Sequence, residues 1–124
     1  MDLYFITGTS SGLGYALTEE VLERGHRVTG IGRNHPHQSN HYCPVEADLS
    51  RTESAAALSL SDPWQDQVYD RVVLVNNAGV IEPVKQIGHA DAADISAHYQ
   101  VNLVAPTILA NQVLAQWAGE GTTE

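Results

Sequence analysis

Three glycines and a run of hydroxyl residues share one short stretch, Thr7–Gly14, with the sequence TGTSSGLG. That composition suits an anion. Gly8 lets the chain turn sharply, Gly12 lets backbone come close to a bulky group, and Gly14 lets a following helix pack tightly against its support. A helix that begins near Gly12 aims free N–H groups, and roughly half a positive charge, at the loop. Ser10 and Ser11 add hydroxyl donors. The chemistry on offer is a pyrophosphate cradle made of backbone, which needs no basic residue. The spacing is T-G-x-x-x-G-x-G. It is neither G-x-G-x-x-G nor a P-loop, because no Lys-Ser/Thr follows the last glycine.

The loop needs a strand before it and a helix after it, and the sequence supplies both. Leu3–Thr7 is a continuous apolar run, the pattern of a strand buried on both faces. Leu13, Ala16, Leu17, Val21 and Leu22 recur at helical spacing, and Gly25 stops that helix. Arg27–Ile31 reads as a second strand, and the polar, proline-containing stretch Asn34–Tyr42 as a loop. Cys43–Ala47 reads as a short third strand ending at Asp48. Ser50 is the expected N-cap of a second helix running through Leu58, with Glu53 completing a capping box, until Asp62-Pro63 breaks it. Arg71–Val75, RVVLV, is the most strand-like stretch and ends in the turn NNAG. After a loop containing Pro83 and Gly88, one long helix is expected from Asp91 through Ile95, Tyr99, Val104, Ile108, Val113 and Trp117. The final GEGTTE reads as a frayed end. Alternation of this kind predicts an α/β fold, a Rossmann-type doubly wound parallel sheet of about four strands with helices on both faces. Right-handed crossovers then place the glycine loop at the carboxyl end of the first strand.

The bulk numbers narrow the function. A chain of 124 residues suffices for one domain. Six basic residues against fifteen acidic ones give a net charge of −9. That balance argues against nucleic acid or an anionic membrane as a partner, since both need clustered Lys and Arg. The single cysteine, Cys43, forms no internal disulfide and fits a reducing, cytoplasmic setting. The opening MDLYFITGTS has no basic n-region and reads as a strand, not a signal peptide. No stretch approaches the ~20 apolar residues of a membrane span.

TGTSSGLG at 7–14, DL at 48–49, NNAG at 76–79 and VNL at 101–103, in that order and at those spacings, resemble the short-chain dehydrogenase/reductase family across essentially the whole chain. MDLYFITG, NNAGVIEPVKQIG and HYQVNLVAP further resemble its benzil reductase and sepiapterin-reductase-like members. The resemblance implies a nicotinamide cofactor held at Gly8, Ser10, Ser11, Gly12, Leu13 and Gly14. It implies that the Asp48 carboxylate accepts a bond from the adenine amino group while Leu49 packs on the ring. The backbone of Asn77, Ala78 and Gly79 would run along the adenosine ribose, and Asn76 would tie the sheet. Asp48 has a second reading, as a cap ahead of Ser50. The choice of cofactor follows from charge. An acidic residue after the second strand would bond the 2′-hydroxyl of NAD, but no Asp or Glu occurs between Gly25 and Tyr42. Arg33 stands there instead and suits the 2′-phosphate of NADP(H), unless it is a solvated loop residue. Ser11 occupies the place where NADP-preferring relatives often carry a second basic residue.

Asn102 matches the family's helix asparagine, one of an Asn-Ser-Tyr-Lys catalytic set. Pro106, four residues on, has no N–H to give the carbonyl of residue 102. By resemblance that carbonyl anchors a water linking the catalytic lysine to solvent; alternatively the proline only kinks the helix. The serine and Tyr-x-x-x-Lys of the set are missing. None of Tyr4, Tyr15, Tyr42, Tyr69 or Tyr99 has a lysine four residues on, and Lys85 is the only lysine. Without them no proton donor is positioned near the operating pH. The sequence reads as the cofactor-binding portion of an NADPH-dependent carbonyl reductase acting on a ketone or diketone, truncated and inactive alone. The alternatives are a non-catalytic NADP(H)-binding module or an inert truncated product. The strand RVVLV would then be an open sheet edge. His35, His37 and His41 read as a solvated loop before a metal site, with a pH-sensing position near the 2′-phosphate as a further possibility. Trp117 reads as core or as an oligomer contact, since the family pairs the helix at 91–118 between subunits.

Overall fold

A computed structural model describes residues 1–65, 68–79 and 88–118. The loop at Pro83, Lys85 and the end GEGTTE lie outside the described residues. The elements are β1 (Leu3–Thr7), α1 (Gly12–Glu23), β2 (Arg27–Gly32), β3 (Tyr42–Glu46), α2 (Thr52–Ala56), β4 (Val72–Val75), α3 (Ala92–Tyr99) and α4 (Ala105–Trp117). A π-helical segment, Gln100–Val104, joins α3 to α4. The four strands form one parallel sheet in the order β3-β2-β1-β4, so β1 is central and β4 ends the sheet among the described residues.

β1 is apolar throughout because both of its faces are covered. Leu3 and Phe5 pack with Ala55 of α2 and with Leu109 and Val113 of α4, whereas Ile6 packs on the opposite face with Val21 of α1, Val28 and Tyr42. This alternation along one strand is the two-sided layering that the sequence pattern predicts. α1 ends in a Schellman turn: Gly25 takes φ +85°, its N–H reaches the Leu22 carbonyl, and the His26 N–H reaches the Val21 carbonyl.

Several local expectations are corrected. Leu13 and Ala16 face solvent. α1 turns Gly14, Thr18 and Val21 to the sheet, a face of mostly small residues that lets the helix sit close. α2 starts after Arg51, which makes no side-chain cap bond, and stops at Ala56; the Ser50 hydroxyl donates to the Asp48 carboxylate. β3 begins at Tyr42, one residue early. The long helix from Asp91 is broken in phase. Asp91 caps α3 by accepting the Asp94 N–H at 2.8 Å, but the wider π turn rotates everything after it. As a result Ile95 and Tyr99 are exposed while Leu109 and Val113 are buried. Trp117 belongs to the core: its ring meets Phe5 and Tyr69, and its indole N–H donates to the Leu60 carbonyl at 2.7 Å. The stretch Asn34–Tyr42 is not a solvated loop, because His37 and Tyr42 are buried.

Candidate dinucleotide site

The carboxyl ends of β1, β2, β3 and β4 open on a cleft of ≈ 520 Å³. Its floor is the glycine loop. Gly8 and Gly12 take φ of +71° and +58°, a left-handed backbone open to glycine at little cost. Gly8 also faces Asn77 and Ala78, where a Cβ would come to 3.0 Å from Asn77 Nδ2. A Cβ on Gly14 would run into the Gly8 carbonyl and the Asn77 side chain, so α1 can start this close to the loop only with glycine there. Gly12 has open space before it, and Ser10 and Ser11 are exposed at the rim. Ser11 precedes α1 without capping it by its side chain, so the first-turn N–H groups of α1 point into the loop unclaimed by that hydroxyl.

The floor is tied to the turn after β4 through Asn77 and through Thr7, a residue of the motif that sequence reasoning did not single out. The Thr7 hydroxyl accepts the N–H groups of Asn77 and Ala78 at 3.0 and 2.9 Å. Asn77 Nδ2 donates back to the Gly8 carbonyl at 3.0 Å, and the Gly8 N–H donates to Ile31 at 3.1 Å. Asn77 is therefore a structural clasp between two loops as well as a lining residue. Asn76 is exposed and reaches only the Pro106 carbonyl at 3.5 Å. The available signal for Thr7 was a hydroxyl at the last position of an otherwise apolar buried strand.

Across the cleft lie Arg33 and Asp48. Arg33 is exposed at the end of β2 and close enough to Asp48 to favour its charged form. Asp48 Oδ1 accepts from the Ser50 hydroxyl at 2.6 Å and the Ser50 N–H at 3.0 Å. These bonds hold its carboxyl below the usual carboxylate range, with Arg33 adding to the effect. Asp48 does not cap α2, whose N-cap is Arg51; its Oδ1 organises the turn at Ser50, and the residue lines the cleft. Leu49 is 9% exposed and belongs to the core while one surface meets the cleft. Leu13, 77% exposed, is not among the lining residues.

Asn102 sits in the π segment, not in an α-helix. A Cβ on Gly79 would come within 3.2 Å of Asn102 Oδ1, so the asparagine stands at the far end of the cleft. On its other side Asn102 lines a mostly apolar hollow of ≈ 590 Å³ with Ile95, Tyr99 and Leu103, and with Asp94 and His98. The fold therefore brings the glycine loop, Arg33, Asp48 and the Asn77–Gly79 turn around one cleft and sets Asn102 between that cleft and a second, apolar one.

The short chain dehydrogenase family model matches residues 3–123. The chain belongs to the short-chain dehydrogenase family. The family comprises oxidoreductases that use nicotinamide cofactors. Benzil reductase ((S)-benzoin forming) of Bacillus subtilis (strain 168) is 35% identical over 123 residues, which is 95% of this chain and 50% of the relative. A short-chain dehydrogenase/reductase of Burkholderia vietnamiensis has a TM-score of 0.82 at 30% identity, over 94% of this chain and 58% of the other. 4-Hydroxyisoleucine dehydrogenase complexed with NADH has a TM-score of 0.79 at 28% identity, over 95% of this chain and 50% of the other. The chain thus spans about half the length of the family members it matches. No helix among the described residues is long and apolar enough to cross a membrane.

Proposed function

We propose that this chain binds NADP(H) and is the dinucleotide-binding portion of a carbonyl reductase that passes hydride to a ketone or diketone. The observation that carries this reading is the pairing of Arg33 with the glycine-loop cleft. Arg33 is the cationic group on the rim where a 2′-phosphate would lie, and no carboxylate follows β2 to repel it. The residues fit such a group. The loop at Gly8–Gly14 and the first turn of α1 would hold the pyrophosphate, Asp48 and Leu49 the adenine, and Asn77–Gly79 the ribose. When bound, the nicotinamide would supply the hydride. Asn102, between the two hollows, would anchor the proton relay, and the apolar lining at Ile95, Tyr99 and Leu103 suits an apolar carbonyl compound. Within these residues no tyrosine is paired with a lysine, so the reading includes binding without turnover by this chain alone. It also includes a cytoplasmic setting and pairing of two copies through the exposed sides of α3 and α4.

Titration of the purified chain with NADPH and, separately, NADH, followed by nicotinamide fluorescence, tests the proposal. Saturable binding that favours NADPH is the expected outcome. Binding of neither cofactor removes the reading for this chain, and a preference for NADH removes the role of Arg33.

A further inference from the structure

The segment that carries Arg33 also reaches into the glycine loop. The His37 side chain is fully buried although Pro36 and Gln38 on either side are exposed. Its Nε2 lies 2.7 Å from the carbonyl oxygen of Thr9, and its Nδ1 lies 2.5 Å from Oε1 of Glu19 on α1. A carbonyl and a carboxylate only accept. A neutral imidazole carries one N–H and an imidazolium two. The ring that satisfies both neighbours is the doubly protonated one. The Tyr15 ring of α1 stacks on it with centroids 4.6 Å apart, and the Tyr42 ring of β3 lies 5.0 Å away, which gives a cation two aromatic neighbours.

A second contact from the same segment runs in parallel. His35 Nε2 is 2.9 Å from the Gly32 carbonyl, and its Nδ1 is 2.7 Å from the Tyr42 hydroxyl, which is 2.9 Å from Thr9 Oγ1. A neutral ring completes that chain: Nε2–H donates to Gly32, and Nδ1 accepts from Tyr42, which accepts from Thr9. Burial pushes the Tyr42 hydroxyl up from its ordinary value, so it stays a donor. The hydroxyl and the carbonyl of Thr9 are therefore both held from residues 35–42. The titratable groups facing His37 are Glu19 and Tyr15 from α1 and Tyr42 from β3, with His35 beyond Tyr42.

We propose that His37 is a positioning residue: bridging the Thr9 carbonyl and the Glu19 carboxylate, it ties the segment carrying Arg33 to the glycine loop and to α1, and the dinucleotide site is fully set for binding when the ring donates to both. This rests on the cofactor reading above. Loss of one proton removes one of the two donors: an Nε2–H ring keeps the buried Thr9 carbonyl and gives up the half-exposed Glu19 carboxylate, so the tie to α1 is the one that opens.

The test is calorimetric titration of the chain with NADP⁺ from about pH 5.5 to about pH 9, for the native sequence and His37→Gln, with imidazole NMR following the ring nitrogens. The 2′-phosphate of the ligand changes charge over the same range, but equally for both proteins, so the ratio of their affinities is the readout. The expected ratio is highest where the NMR shows both ring nitrogens protonated and about tenfold lower where it shows one. A flat ratio, or a singly protonated ring throughout, overturns the proposal. If NADP⁺ binds neither protein, the cofactor reading fails and the latch is decided separately by amide-exchange protection at residues 9–12. Protection that tracks the NMR titration of His37 supports the latch, and protection that ignores it overturns it.

Discussion

The two banks of the cleft are built differently. On the glycine-loop bank Thr7, Thr9, His37 and Tyr42 are all buried, and their polar groups bond one another or the neighbouring loops. On the far bank neither α3 nor the π segment has a buried residue, and Ile95, Tyr99 and Leu103 are 50%, 61% and 56% exposed. One bank is fixed by contacts within this chain, while the other turns apolar side chains outward. Holding a dinucleotide and carrying out the chemistry are thus separable jobs here, and the first is the one these residues support by themselves.

The substitution with the largest expected effect strikes the fixed bank at its tightest point. Gly14→Ala is expected to lower stability by about 3 kcal/mol, because the new methyl has only backbone and Asn77 to displace, and to abolish saturable NADPH binding. Gly32→Ala is the control, since a Cβ there meets nothing within 4 Å, and urea unfolding should show a change below about 0.5 kcal/mol. Equal losses in the two variants would mean that the close approach at Gly14 is not what holds the loop.

Thr7→Val keeps the shape of the side chain and strips an acceptor from two buried-side N–H groups. The expected cost is about 2 kcal/mol in urea unfolding. Arg33→Ala acts on binding alone, with NADPH affinity reduced about tenfold and NADH affinity unchanged in the fluorescence titration. Asn102→Ala tests the other bank. Its removal should leave NADPH affinity within about twofold in the fluorescence titration. A large loss of affinity there would erase the contrast between the banks.

The smallest effect concerns acid. The Asp48 carboxyl is held low by Ser50, so its contribution to stability is fully present above the unfolded value of about 3.9 and is lost as pH falls through the lower folded value. The difference in unfolding midpoint between the native chain and Asp48→Asn should therefore shrink as the pH is taken below about 4.

Much of the fold was legible because β1 and α1 obey simple periods. An apolar run reads as a strand covered on both faces, and a glycine after Arg24 reads as a helix end. The floor of the site was legible for the same reason, since T-G-x-x-x-G-x-G fixes where backbone must turn. What sequence spacing did not reveal was tertiary. His37 looks like one of several histidines in a polar stretch, and only the packing of that stretch on α1 buries its ring. Leu13 fits the apolar period of α1, yet the need to bring Gly14 against the Gly8 carbonyl turns it outward. The phase slip near Asn102 is invisible to a period of 3.6 residues, because a π turn keeps helical composition while changing helical count.

That slip has a consequence in the arithmetic of chain length. A π turn is an α-helix carrying one residue more than its path requires. Deleting one residue from 100–104 would restore the ordinary α-helical count between α3 and α4, with Pro106 still leaving one carbonyl without its helical partner. It would also swing α3 by about 100° relative to the buried face of α4. Asn102 would then leave its place beside Gly79. The surplus residue sets the rotational phase between a helix that belongs to the core and a helix that belongs to the cleft.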